Sequence, residues 1–167
     1  MKKIALVLAG AALLAVPSFA SAQVTGVINA TATIQTVLNF GASQAVDFGA
    51  VTPGTAATAS GWIELNRNVG VNITLPDAAN TGRLTRSGGT ETLQPAYTCG
   101  IGATNSAITT AFSSCVPATG TTVVGTRTAP AAPVTEFVIF NGSLTATQTV
   151  TTPGTYNGVI RVTATAN

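Results

Sequence analysis

From residue 156 to residue 167 the chain alternates with a period of two, and this limits the possible fold more than any other stretch. Tyr156, Gly158, Ile160, Val162, Ala164 and Ala166 fall on one face. Asn157, Val159, Arg161, Thr163, Thr165 and Asn167 fall on the other, which is polar except for Val159. A helix would space its apolar residues three and four apart, so this pattern predicts a half-buried β-strand. The turn-forming Thr152-Pro153-Gly154 leads into it.

The rest of the chain has the same character. No long helical pattern is present, and short apolar or β-branched runs alternate with Gly, Pro and Asn. Residues 24–40, 46–51, 57–65 and 69–75 read as strands, with weaker ones at 83–86, 90–99 and 121–128. Residues 134–140 and 144–151 read as a hairpin joined at Asn141-Gly142, a strong turn dipeptide. Residues 41–44 read as a turn, 76–80 as a loop, and 100–120 and 129–133 as irregular. Leu38-Asn39-Phe40-Gly41 is echoed by Val46-Asp47-Phe48-Gly49, which reads as two strand ends, each with a core Phe before a Gly bend. Trp62 reads as a core residue, and Tyr156 as a core or sheet-edge ring. This spacing predicts an all-β chain with one sandwich-like domain.

The first residues have a different purpose. Met1-Lys2-Lys3 is basic, residues 4–16 are apolar, and Ala20-Ser21-Ala22 is an Ala-x-Ala cleavage site. That predicts a signal peptide over 1–22, a mature domain over 23–167, and an exported protein. The apolar run falls short of the roughly 20 residues that a membrane span needs, so no transmembrane helix is expected in the mature chain. Residues 23–167 suffice for one domain with its own core.

Removing the signal also changes the charge. Both lysines lie within it, leaving Arg67, Arg83, Arg86, Arg127 and Arg161 against Asp47, Glu64, Asp77, Glu91 and Glu136, for a net charge of zero. The sequence pI of about 8.8 describes the precursor. Nothing basic remains to attract nucleic acid or an anionic membrane. Only 7% of the chain is charged, a surface suited to packed neighbours.

Chemistry is limited in the same way. There is no His, and no Lys in the mature chain, so the usual general bases and nucleophile activators are missing. The five acids are scattered, and only 5% of residues are aromatic, which argues against a glycosidase site. No catalytic residue, cofactor or metal site is expected. Cys99 and Cys115 are the only cysteines. In an exported chain they predict a disulfide, worth roughly 3 kcal/mol for a loop of that size in the chain-entropy model.

Asp47-Phe48-Gly49, Val71-Asn72-Ile73-Thr74-Leu75 and Gly154-Thr155-Tyr156-x-Gly158, followed by the alternating terminal run, resemble the spore coat protein U and archaic chaperone–usher pilin group. They are similar also to a related family of secreted bacterial domains of unassigned function. The resemblance covers residues 24–167 through short matches, of which the terminal run is the best. It implies an immunoglobulin-like sandwich that lacks one strand. A periplasmic chaperone supplies that strand first, and the N-terminal extension of the next subunit supplies it later, with an outer-membrane usher assembling the fibre.

Carried over, the candidate donor strand places Val24, Gly26, Ile28, Ala30, Ala32 and Ile34 toward a groove. The C-terminal edge strand, with Tyr156, Gly158, Ile160, Val162, Ala164 and Asn167, faces the chaperone, and the Asn167 carboxylate is its anchor. Two positions depart from the family pattern. Residues 30–40 align with the family's own first strand, leaving 23–29 as the free extension, and the cysteine usual on that strand is missing. A complete, self-contained sandwich therefore stays open.

The expectation is a non-enzymatic structural subunit of a bacterial surface fibre or coat, in the periplasm, at the cell surface or in an extracellular fibre. Its partners are copies of itself or other fibre subunits. Two alternatives remain: a monomeric secreted module binding carbohydrate or another surface ligand, and an outer-membrane barrel, which alternation fits but the missing aromatic girdles do not.

Overall fold

A computed structural model describes residues 30–75, 82–115, 122–147 and 152–167. The chain divides into two units, Met1–Thr33 and Ile34–Asn167. In the first, Ala30, Thr31, Ala32 and Thr33 are exposed and belong to no helix or strand.

The second unit is all-β. Its described strands are β1 (Leu38–Gln44), β2 (Ala57–Arg67), β3 (Val71–Thr74), β4 (Leu84–Arg86), β5 (Thr92–Leu93), β6 (Ala96–Gly102), β7 (Thr110–Ala111), β8 (Val123–Arg127), β9 (Val134–Leu144), β10 (Tyr156–Asn157) and β11 (Thr163–Ala166). They form three antiparallel sheets, in the orders β1-β2-β9-β6-β7, β11-β3-β8 and β10-β4-β5. The centre of the first is an unbroken pairing of β2 with β9, from Ala57 opposite Leu144 to Arg67 opposite Val134.

Alternation sets the faces. On β2, Ile63 and Leu65 point to the core while Trp62, Glu64 and Asn66 point away; on β9, Val138 and Phe140 point inward and Phe137 and Ile139 outward. The core joins Leu65, Cys99, Ile101, Val138 and Phe140 of the five-stranded sheet to Val71, Ile73 and Val124 of the sheet formed by β3, β8 and β11. These two sheets therefore pack face to face as a sandwich. Leu65, Ile73 and Ile101 are fully buried, each contributing roughly 1.5–3 kcal/mol by leaving water.

One side of the sandwich is closed. Just beyond β7, the N–H of Phe112 donates to the carbonyl of Cys99 (3.0 Å), and that of Ser113 donates to the carbonyl of Val124 (2.9 Å). The chain thus steps from β6 to β8 across the gap between the layers. Gly125 makes this possible, since a Cβ there would lie 2.6 Å from the Phe112 ring. The Cys99–Cys115 disulfide, with its Cα atoms 5.5 Å apart, fastens the same corner.

Several strands differ from the sequence expectation. The ladder at the start begins at Leu38 rather than residue 24; residues 30–37 are in no strand, and 24–29 lie outside the described residues. The expected turn at 41–44 is the end of β1, which absorbs an irregularity between Phe40 and Ser43. Residues 46–51 form no strand. There the chain passes beneath β2, where a Cβ on Gly61 would lie 2.6 Å from the Val46 nitrogen. The expected loop at 76–80 lies outside the described residues.

The expected hairpin at Asn141-Gly142 is continuous strand inside two ladders. Asn141 stands opposite Ser60 and Thr98, and Gly142 opposite Ala59 and Tyr97. Gly142 is there for space, since a Cβ would lie 2.6 Å from Cζ of Phe48. The terminal run is divided into β10 and β11, in two sheets, with no strand at 158–162. The alternation survives in burial: Ile160, Val162 and Ala164 pack partly against the core.

Candidate functional site

The terminal run lies at a sheet edge. Among the described residues, β10 pairs only with β4 and β11 only with β3, so each ends its sheet. β11 pairs in even register, from Thr163 opposite Thr74 to Ala166 opposite Val71. Its end is fixed: the Asn167 N–H donates to the Gly70 carbonyl (3.1 Å), and its Nδ2 donates to Oδ1 of Asn72 (3.1 Å).

Edges differ in how well they resist further pairing. Natural sheets blunt them with bulges, charges or proline. The edge strand β1 carries the irregularity between Phe40 and Ser43, which bends a strand away from a flat partner. β11 reads Thr-Ala-Thr-Ala, with no charge and no proline. Beyond its length of four residues it has none of the edge defences.

Beside it the sandwich is open. No hydrogen bond between described residues joins β1 to β11, in contrast to the bonds that close the opposite side. A cleft of about 300 Å³ is lined by Val46, Ile63, Val138 and Phe140 on one wall and Ile160 and Val162 on the other. Val46 and Ile63 are only half-buried there. Tyr97 also lines the cleft and donates its hydroxyl to the Gly82 carbonyl (2.8 Å); burial raises its pKa. A larger cleft of about 790 Å³ lies between residues 45–55 and 152–158 and includes Phe48, Leu84, Leu93 and Tyr156. The Tyr156 hydroxyl donates to the Thr152 carbonyl at 2.9 Å.

The candidate donor residues fall into three groups. Val24, Gly26 and Ile28 lie outside the described residues. Ala30 and Ala32 belong to the first unit and are exposed. Ile34 opens the second unit at 88% exposure, more than any other large hydrophobic residue described. Of the C-terminal edge residues, Tyr156, Ile160, Val162 and Ala164 are half-buried, while Gly158 and Asn167 are exposed.

Two clusters were not legible in the sequence. The first is an ion triad between the layers. Arg67 of β2 and Glu136 of β9 pair through Nε and Oε2 at 2.6 Å, and Arg127 of β8 pairs with Oε1 of the same carboxylate. Burial pushes the Glu136 pKa up, but the hydrogen bonds from Arg67 and Arg127 outweigh it and hold the carboxyl below its ordinary value. The second is the outer face of the five-stranded sheet. Trp62, expected in the core, stands there edge-to-face with Phe137, ring centroids 5.3 Å apart. Only spatial neighbours reveal either cluster, since their members are 69 and 75 residues apart in the chain.

Among the described residues no group of three or more His, Cys, Asp or Glu side chains could hold a metal ion, and no helix is long and apolar enough to cross a membrane. No protein-family model matches the chain, and no curated protein does.

Proposed function

We propose that this chain is an exported structural subunit that assembles with further copies, or with similar subunits, by strand addition at the β11 edge. The observation that carries this reading is the asymmetry of the sandwich. Hydrogen bonds close one side through residues 112–113, whereas the other ends in the unblunted β11 beside an apolar cleft. An added strand gains affinity from the backbone groups of such an edge, and specificity from pockets for alternate side chains. The alternating Ala30, Ala32 and Ile34 have the pattern that such a strand requires, and nothing covers Ile34 within its own unit.

Other features agree with this reading. The signal-like residues 1–22 support export, and a disulfide suits an oxidising compartment. A domain with zero net charge has little electrostatic resistance to packing against its own kind. The resemblance to archaic pilins implies that a periplasmic chaperone protects this edge before assembly and that an usher delivers it.

Sedimentation of purified protein over a range of concentrations, with electron microscopy of the same samples, tests the reading. Concentration-dependent polymers are expected, and Thr165→Lys, which places a charge on the edge, abolishes them without unfolding the domain. A wild-type chain that stays monomeric at every concentration, or a Thr165→Lys chain that polymerises normally, would overturn it.

A further inference from the structure

We propose that the outer face of the five-stranded sheet is a binding surface for a neutral polysaccharide, with Trp62 and Phe137 as its apolar platform. This holds equally for a free subunit and for one within an assembly. The inner residues of β2 and β9 already fill the core, so whatever their outer residues do is additional to the sandwich. At the centre of that face the two rings meet edge-to-face at 84°, and both are half-buried, leaving part of each ring open to solvent.

The surroundings match the ligand's chemistry. Sugars present C–H groups on one side and hydroxyls, both donors and acceptors, around the rim. Sites for them pair an aromatic surface with a few placed polar groups. Here the indole N–H donates to Oε1 of Gln44 (2.9 Å), the Ser60 hydroxyl to Oδ1 of Asn141 (2.8 Å), and the Thr135 hydroxyl to Oδ1 of Asn66 (2.6 Å). These bonds hold three side-chain amides around the rings and engage only their oxygens, keeping the amide N–H groups as donors. Glu64, whose carboxylate accepts from the Ala42 N–H, is the one charged side chain that β1, β2 and β9 place on this face.

The charge pattern selects the class of ligand. β1, β2 and β9 place no arginine on this face: Arg67, the one arginine among them, points inward to Glu136. An anionic polysaccharide would find no cation and would meet the Glu64 carboxylate. A neutral one suffers neither penalty. The β2–β9 pairing is roughly 35 Å long at the usual rise per strand residue, the span of several sugar units, and apart from the buried Ile139 its outer residues reach solvent. That length favours a chain over a single sugar.

Trp62 is the only tryptophan, so its emission reports on the ring at the centre of this face. The full protein is titrated with neutral hexasaccharides of glucose, xylose, mannose and galactose, and with oligogalacturonate as the anionic comparison. A saturable emission change with at least one neutral hexasaccharide, and none with oligogalacturonate, is expected. Calorimetry of Asn66→Ala combined with Asn141→Ala should show affinity lower by about tenfold or more, with an unchanged melting temperature. No response to any neutral hexasaccharide overturns the proposal, as does an unaltered affinity in the double variant. Those two side chains are removed without touching the rings, so the outcome does not depend on whether Trp62→Ala folds.

Discussion

Nε of Arg67 and Oε2 of Glu136 lie 2.6 Å apart, with both side chains nearly inaccessible to water. Both residues belong to the five-stranded layer, but their bonds reach beyond it. Arg67 also donates from Nη1 to the carbonyls of Val69 (2.9 Å) and Thr128 (2.6 Å), and Glu136 accepts from Arg127 of β8. The cluster thus ties the two layers together.

Glu136→Gln should destabilise the domain by about 3 kcal/mol or more, because it leaves Arg67 buried without its counter-charge. Chemical denaturation monitored by circular dichroism would show the midpoint fall. Arg67→Met combined with Glu136→Leu should recover much of the loss, since apolar replacement of a whole buried pair is often neutral.

The same carboxylate sets an acid limit. Its folded pKa lies below the ordinary value of 4.5, so the unfolded chain binds this proton more readily than the folded one. The stabilisation is therefore complete above the unfolded pKa and disappears as the pH falls through the folded pKa. Melting temperature plotted against pH should be flat near neutrality and drop below about 4.5. In Glu136→Gln that drop should be shallower.

How much of this was legible in the sequence depended on whether a residue's neighbours lie along the chain or across the sheet. β2 was readable because Ile63 and Leu65 alternate with Glu64 and Asn66, so polarity alone separates its faces. β9 was not, because residues 137–140 are Phe-Val-Ile-Phe and both faces are apolar. One face meets the core and the other meets Trp62. Residues 46–51 carried a strand-like pattern but serve as a crossing beneath Gly61. The terminal run was legible in burial but not in pairing: Ile160 and Val162 face the core, yet no ladder includes them. The open edge depends on which strands stand side by side, and local alternation does not record that.

Gly142 gives the clearest separation of a turn from a strand. Its φ is not among the positive values of this chain, so alanine brings no backbone strain. Its Cβ would instead lie 2.6 Å from Phe48 and 3.0 Å from Tyr97. Gly142→Ala should cost about 1–3 kcal/mol from overpacking, while Asn141→Ala, exposed, should stay within about 0.5 kcal/mol of wild type. A tight hairpin turn would make both substitutions costly. Thermal melts of the two variants decide it.

Replacing Cys99 and Cys115 together by alanine should destabilise the domain by about 3 kcal/mol, the value expected for opening a loop of 16 residues. Because Cys99 is also buried in the core, the double alanine variant should be less stable than the reduced wild type. Comparing denaturant midpoints with and without reductant separates the cross-link from the packing.

Under the proposed assembly, Ile34 should affect association without affecting stability. At 88% exposure it contributes almost no buried area within its own unit, so Ile34→Ser should change the melting temperature of the isolated domain very little, within about 0.5 kcal/mol. Its effect on association should be much larger. A side chain of this size that moves from water into an apolar cleft gains about 1.5–3 kcal/mol, which corresponds to roughly tenfold or more in affinity. Sedimentation should therefore show Ile34→Ser polymerising only at higher concentration, while its melting curve overlays that of the wild type. An equal loss in both measurements would mean that Ile34 supports its own domain rather than a neighbouring one.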